Sequence, residues 1–165
     1  MLGRTYEGQN CSVAKTLEIV GERWTVLVLR EIFFGRRRFD EMAQNLGIAR
    51  NVLTQRLQRL QEEDVVTKVA YQQRPERFEY RLTDKGLDLW PVLVTLMQFG
   101  DRYYAPDGPP IVVTHQDCGG TMDAHRICTK CGAKLTAKQV RAHAGPGATP
   151  EAPAPASALA QTGHP

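Results

Sequence analysis

The sequence predicts a mainly α-helical fold with a small β-hairpin, followed by a small Cys/His-rich C-terminal appendage, and three observations carry that prediction. Between Phe39 and Glu63 two short amphipathic segments are broken at Gly47. Directly after them the apolar spacing changes from helical to alternating. Further on, two knuckles of soft metal-ligand residues stand only nine residues apart.

The elements follow in order. Val13, Leu17 and Val20 share one face of a first helix, preceded by Cys11. Arg23 to Phe33 is apolar nearly all round, with Trp24, Leu27, Val28 and Ile32 as its strongest stripe, so this helix is expected to be central and buried. In the third helix Phe39, Met42, Ala43 and Leu46 fall at i, i+3, i+4 and i+7, with Asp40 expected to cap the opening turn. Gly47 ends it, because glycine accepts the left-handed backbone of a helix C-terminus. The fourth helix buries Val52, Leu53, Leu57 and Leu60 and turns Asn51, Thr54, Gln55 and Gln58 the other way.

Val65 to Tyr71 and Phe78 to Leu82 read as two strands, the second alternating Phe78, Tyr80 and Leu82 against Arg77, Glu79 and Arg81. The six residues Gln72 to Arg77 are too many and too polar for a two-residue turn, so a projecting loop is expected, in other words a wing. Thr83 to Tyr104 reads as one long helix bent at Pro91. Gly86, Trp90, Leu93, Met97, Gly100 and Tyr104 form its seam, widened by Leu89, Leu96 and Tyr103, which suits either a dimer interface or cover for its own domain. Together these elements make a winged helix-turn-helix.

The polar face of the fourth helix points to function. Short or planar side chains such as Asn51, Thr54, Gln55 and Gln58, with Arg50, Arg56 and Arg59 beside them, match donors and acceptors on base edges in a major groove. A merely solvated helix would more often alternate Glu and Lys. Arg74 and Arg77 in the wing can reach phosphates or a minor groove, and Arg38 at the start of the third helix joins the DNA-binding candidates.

Cys11-Ser12-Val13-Ala14, Glu18-Ile19-Val20-Gly21-Glu22-Arg23-Trp24-Thr25, Leu29-Arg30-Glu31, Arg38-Phe39-Asp40-Glu41, Val52-Leu53-Thr54-Gln55-Arg56-Leu57 and Tyr80-Arg81-Leu82-Thr83-Asp84-Lys85-Gly86 carry a resemblance. In this order and spacing they are similar to the HxlR family of bacterial winged-helix transcription regulators, over roughly Cys11 to Tyr103. The resemblance implies a homodimer, here through the N-terminal helix and the helix 83–104, whose recognition helices enter successive major grooves of a pseudo-palindromic operator. It also implies that a cysteine at the position of Cys11 responds to electrophiles, hypochlorite or disulfide stress. Two positions depart from the pattern. Ala49 replaces a capping serine, at a cost of about 1 kcal/mol, and Ser12 replaces a common proline.

Composition narrows the class. The 165 residues suffice for one cored domain plus an appendage, and the net charge of +3 excludes a strongly cationic coating protein. From Gly35 to Arg81 ten basic residues face seven acidic ones, so specificity must lean on base contacts and dimer geometry. Fifteen of the 21 basic residues are arginine, the better partner for guanine and phosphate. No signal peptide or membrane-spanning run is visible, so a cytoplasmic location is expected, where the four cysteines would be thiols or metal ligands.

Cys11 is a candidate redox sensor by position, since unpaired amides at a helix start favour a reactive thiol, although a small packing residue would look the same. His115-x2-Cys118-Gly and Cys128-x2-Cys131-Gly are the two knuckles, a candidate closed tetrahedral site for one structural zinc ion, with His125 as a spare ligand. A reversible Cys128–Cys131 disulfide and free thiols are the alternatives. No catalysis is expected there.

Four regions result: an N-terminal arm 1–10, the winged domain 11–104, the Cys/His segment 105–140, and a disordered Ala/Pro/Gly-rich tail 141–165. The function expected is a dimeric DNA-binding regulator, a repressor, answering a small-molecule or thiol-reactive signal. The competing class is an interaction adaptor or redox protein working through the Cys/His segment.

Overall fold

The computed structural model describes residues 11–146; the arm 1–10 and positions 147–165 of the expected tail lie outside the described residues. The chain forms two compact units, one of residues up to Ile32 with Arg37–Gly86, the other of Phe33–Arg36 with everything from Leu87 onward. The long final helix of the sequence reading is therefore divided, its part up to Gly86 in the first unit and its part from Leu87 with the Cys/His segment.

In the first unit α1 (Ser12–Val20) and α2 (Thr25–Phe33, its last residue in the second unit) precede α3 (Phe39–Leu46) and α4 (Arg50–Glu62). Gly47 takes the left-handed conformation at φ 59° and closes α3. The core is Val28, Leu29 and Ile32 from α2, Met42 from α3, and Leu53, Leu57 and Leu60 from α4, joined by Ile48, Val65, Val66 and Tyr80. Trp24 and Leu27 are only half-buried, so the buried stripe of α2 is rotated toward Leu29 from the one expected. Asp40 does not cap α3. Arg38 holds the N-cap position with no side-chain hydrogen bond, and Asp40 lies inside the first turn, where a carboxylate still favours the helix dipole.

Strands β1 (Val66–Gln73) and β2 (Glu76–Leu82) pair antiparallel, from Val66 opposite Leu82 to Gln73 opposite Glu76. The expected six-residue loop is thus a two-residue turn, Arg74-Pro75. An irregularity between Ala70 and Gln72 shifts the register, which lets polar Gln72 and Gln73 continue the ladder, and Pro75 sits where no donor is required. The chain before α3 joins the hairpin: the Tyr80 amide donates to the Arg37 carbonyl at 2.8 Å.

The expected helix 83–104 is two helices, α5 (Asp84–Leu87) and α6 (Trp90–Tyr104). The Thr83 hydroxyl accepts the Gly86 amide at 3.1 Å to start the first. Pro91 lies in the opening turn of α6 and so bends nothing, because its missing donor would be unpaired there anyway. The seam divides likewise. Trp90, Leu93 and Val94 are core, and the Phe33 and Trp90 rings stand 5.5 Å apart. Gly86 is packed so closely that a Cβ would strike the Val65 carbonyl, whereas one at Gly100 would meet nothing within 4 Å. Gly86→Ala is accordingly expected to cost about 2 kcal/mol, and Gly100→Ala to stabilise by up to about 1 kcal/mol, both read from urea midpoints.

In the second unit β3 (Ile111–His115) pairs with β4 (Val140–Ala144), preceded by a single 3-10 turn at Ala137–Gln139. Arg141 to Ala144 are therefore ordered strand, not the start of a disordered tail. Their backbone groups are satisfied by the β3 ladder, and Val140 is buried with Val113, Leu135 and Ala137.

Candidate nucleic-acid interface and metal centre

Helix α4 separates its faces cleanly. Leu53, Leu57 and Leu60 are buried while Arg50, Asn51, Thr54, Gln55, Gln58 and Arg59 are exposed. Its N-terminus is uncapped, Ala49 making no side-chain hydrogen bond. The exposed face is not uniform along its length. Arg59 pairs with Glu63 at 2.8 Å and Gln58 donates to Glu62 at 3.0 Å, so the C-terminal end is occupied by its own acids. Thr54 donates to the Arg50 carbonyl at 2.9 Å, leaving the hydroxyl oxygen outward as an acceptor. Arg56, expected beside the polar stripe, is turned inward with only about a fifth of its side chain exposed, 3.7 Å from Glu22.

Arg74 and Arg77 are exposed at the hairpin turn. Arg38 stacks over Tyr71 at 4.7 Å and pairs with Glu41 at 3.3 Å, and Lys68 stacks over Phe78 at 3.9 Å. Arg38, Lys68, Tyr71, Arg77 and Phe78 line a cleft of about 510 Å³ between the start of α3 and the wing, and Arg74 lies outside it. Lys68 escapes a reading of the loop alone, because it sits on the strand rather than the turn.

The knuckles converge as their spacing predicts. One ligand atom each from His115, Cys118, Cys128 and Cys131 lies within 4.8 Å of the others, and all the described cysteines are free thiols. His115 Nδ1 is 3.2 Å from Cys118 Sγ and 3.4 Å from Cys131 Sγ, and Cys118 Sγ is 3.3 Å from Cys128 Sγ. These separations are far too long for a disulfide and close to the edges of a tetrahedron with metal–sulfur bonds of about 2.3 Å. Gly119 and Gly132 follow the knuckle cysteines at φ 66° and 73°, and a Cβ at Gly120 would run into Cys128 Sγ. His125 stays outside the cluster, exposed, its amide bound to Asp123.

The electrostatics favour anionic sulfur at Cys128 and oppose it at Cys118. Burial opposes charge on Cys128, yet the Cys131 and Lys130 amides hydrogen-bond its thiolate and lower its pKa to about 6. At Cys118 the Gly120 amide favours the thiolate, but hydrogen bonding with Cys128, burial and Cys131 outweigh it and raise the pKa. Sequence reasoning missed Asp117, whose Oδ2 stands 3.3 Å from His115 Nε2. Its position two residues after the histidine is the available signal, since a ligating imidazole commonly gives its second nitrogen to a carboxylate.

A pair of helices joined at Gly47 beside a β-hairpin wing is a winged helix-turn-helix, the architecture of a class of DNA-binding proteins. The HxlR-like helix-turn-helix family model matches residues 19–108, and the chain belongs to that family. It is a transcriptional regulator of the helix-turn-helix type. An HTH-type transcriptional regulator of Mycobacterium tuberculosis is 50% identical over 147 residues, 88% of this chain and 92% of its own. Such coverage necessarily runs through both knuckles. Among solved structures, the transcription factor PA1607 is 36% identical with a TM-score of 0.65, covering 79% of this chain and 92% of its own. The redox regulator HypR in its oxidized form is 29% identical with a TM-score of 0.53, covering 56% of this chain and 96% of its own.

Proposed function

We propose that the protein is a dimeric, sequence-specific repressor acting on duplex DNA in the bacterial cytoplasm, with Arg50, Asn51, Thr54 and Gln55 reading bases and Arg38, Arg74 and Arg77 contacting phosphates. The observation that carries the reading is the exposed polar N-terminal half of α4, the end that recognition helices direct at base edges. Gln58 and Arg59 are weaker contributors because acids hold them.

Dimerisation is supported by apolar side chains left in solvent. On α6 Val92, Leu96, Phe99 and Tyr103 follow a heptad-like spacing, and Val13 and Leu17 are exposed on α1. This α6 face, not the Trp90–Leu93 stripe, is the surface offered to a second copy. The signal is thiol-reactive or a small molecule, with Cys11 as the sensing candidate. It is exposed at the N-cap of α1, forms no side-chain cap, and the relative HypR is named a redox regulator.

His115 Nδ1, Cys118, Cys128 and Cys131 suit one structural zinc ion. Bound zinc would supply folding free energy to a segment with a small apolar core. Asp117 would fix the imidazole tautomer, and Lys130, donating to the Cys118 carbonyl at 2.9 Å, braces one knuckle against the other.

Titrating the full chain with labelled duplex from upstream of its own gene, at two salt concentrations, tests the function. Tight, sequence-selective, salt-sensitive binding is expected. Gln55→Ala should weaken specific binding by roughly tenfold with little change on random duplex, whereas Arg74→Ala should weaken both alike. Equal losses from the two would refute the assigned roles, and no binding to any duplex would leave the adaptor role of the Cys/His segment.

A further inference from the structure

Arg50 and Asp40 are ten positions apart on different helices, yet the Arg50 Nη1 donates to Asp40 Oδ1 at 2.7 Å. The same guanidinium lies over the Phe39 ring, its central carbon 4.7 Å from the centroid. Arg50 is the first residue of α4, at the end of the recognition helix aimed at base edges, and remains 69% exposed. A free arginine there would sample many rotamers and contact any phosphate in reach. This one has an aromatic floor and a carboxylate on one edge.

We infer that Arg50 is the guanine-reading residue of each half-site and that Asp40 is its positioning residue, a specificity device resting on the DNA-regulator reading above. Guanine presents O6 and N7 as adjacent acceptors in the major groove, matched by two parallel N–H donors. Asp40 engages Nη1, so the Nε–Nη2 edge keeps such a pair not taken up by Asp40, on a side chain that is 69% exposed. The carboxylate also has a filtering effect. An isolated Asp40 would repel phosphates, but paired with Arg50 it neutralises the arginine as a non-specific anchor while leaving its hydrogen-bonding edge available. Affinity for arbitrary DNA is sacrificed and discrimination is retained.

The test is selection from a pool of duplexes with a randomised centre, using the full chain as wild type, Asp40→Asn, Arg50→Lys and Arg50→Ala. Wild type should recover half-sites with one strongly preferred guanine. Asp40→Asn, an isosteric change, should lose roughly tenfold of that preference while its binding to random duplex rises by no more than about threefold. Arg50→Lys and Arg50→Ala should lose the preference too. Replacing the selected guanine by 7-deazaguanine should weaken wild type about as much and leave Arg50→Ala unaffected, a readout that a merely structural ion pair would not move. An unchanged guanine preference in Asp40→Asn overturns the inference, as does a uniform gain on every duplex, which would make Asp40 a simple electrostatic mask. If wild type binds selectively and only these arms fail, the regulator reading stands without it. Absence of any selected sequence overturns both.

Discussion

Glu31→Ala is expected to destabilise the helix-turn-helix unit by about 3–5 kcal/mol, as much as truncating a large core side chain. Glu31 lies on α2 with its residue surface 0% exposed. Its Oε1 accepts Nε and Nη2 of Arg30 at 3.1 and 2.7 Å, and its Oε2 accepts Nδ2 of Asn45 at 2.6 Å. A carboxylate there ties α2 to α3, the helix that supports the recognition helix. Removing it strips the part-buried Asn45 amide of its acceptor, and the buried Asn45 Oδ1 is already without a partner. An orphaned buried polar group and a vacated space act in the same direction. In a unit of this size the melting midpoint should fall by more than about 12 °C, followed by circular dichroism. Glu31→Gln keeps the shape and one acceptor, so it should cost less than half as much. A loss below about 1 kcal/mol in the alanine variant would mean that the carboxylate is not what joins these helices.

Cys128→Ser should abolish metal binding and unfold the segment around it. Freshly purified protein is expected to contain one equivalent of zinc by elemental analysis, and the variant close to none. Cys128 is 1% exposed, and its sulfur is 3.3 Å from Cys118 Sγ, so a hydroxyl in its place offers neither soft ligation nor comparable size. Structural zinc supplies about 10–16 kcal/mol of apparent binding free energy in small domains, more than the few apolar side chains between Val113 and Val140 can replace. Hydrogen exchange of the β3–β4 amides should therefore become fast in the variant, and in wild type on chelation. Under half an equivalent of zinc in wild type, unchanged by the substitution, would remove the metal from the account.

The parts legible in advance are those written in short-range spacing. Gly47 punctuates two amphipathic helices, Leu53, Leu57 and Leu60 mark the buried side of α4, and the two x2 knuckles place four ligands on one point. What spacing cannot express is a partner from another element. Asp40 looks like a cap because it stands in the opening turn of an apolar stripe, but its partner is Arg50 across the turn. Arg56 matches the polar stripe by period and is drawn instead to Glu22. The seam from Gly86 to Tyr104 keeps its phase through the break between Leu87 and Trp90, so periodicity alone reads two helices as one. The wing loop was overestimated for a related reason: polarity argues for loop, while a shifted register lets polar residues remain paired.

Ile111 pairs with Ala144, so the chain departs from and returns to nearly the same place around the whole Cys/His excursion. A segment with adjoining ends behaves as a cassette: it can be gained or dropped in one genetic event without stretching the backbone that flanks it. The related HypR chain is matched over 96% of its length by only 56% of this one, so a relative of this fold is complete with far fewer residues. Joining residue 110 to 145 through a short linker should thus be geometrically cheap, and the same doorway would accept a foreign module.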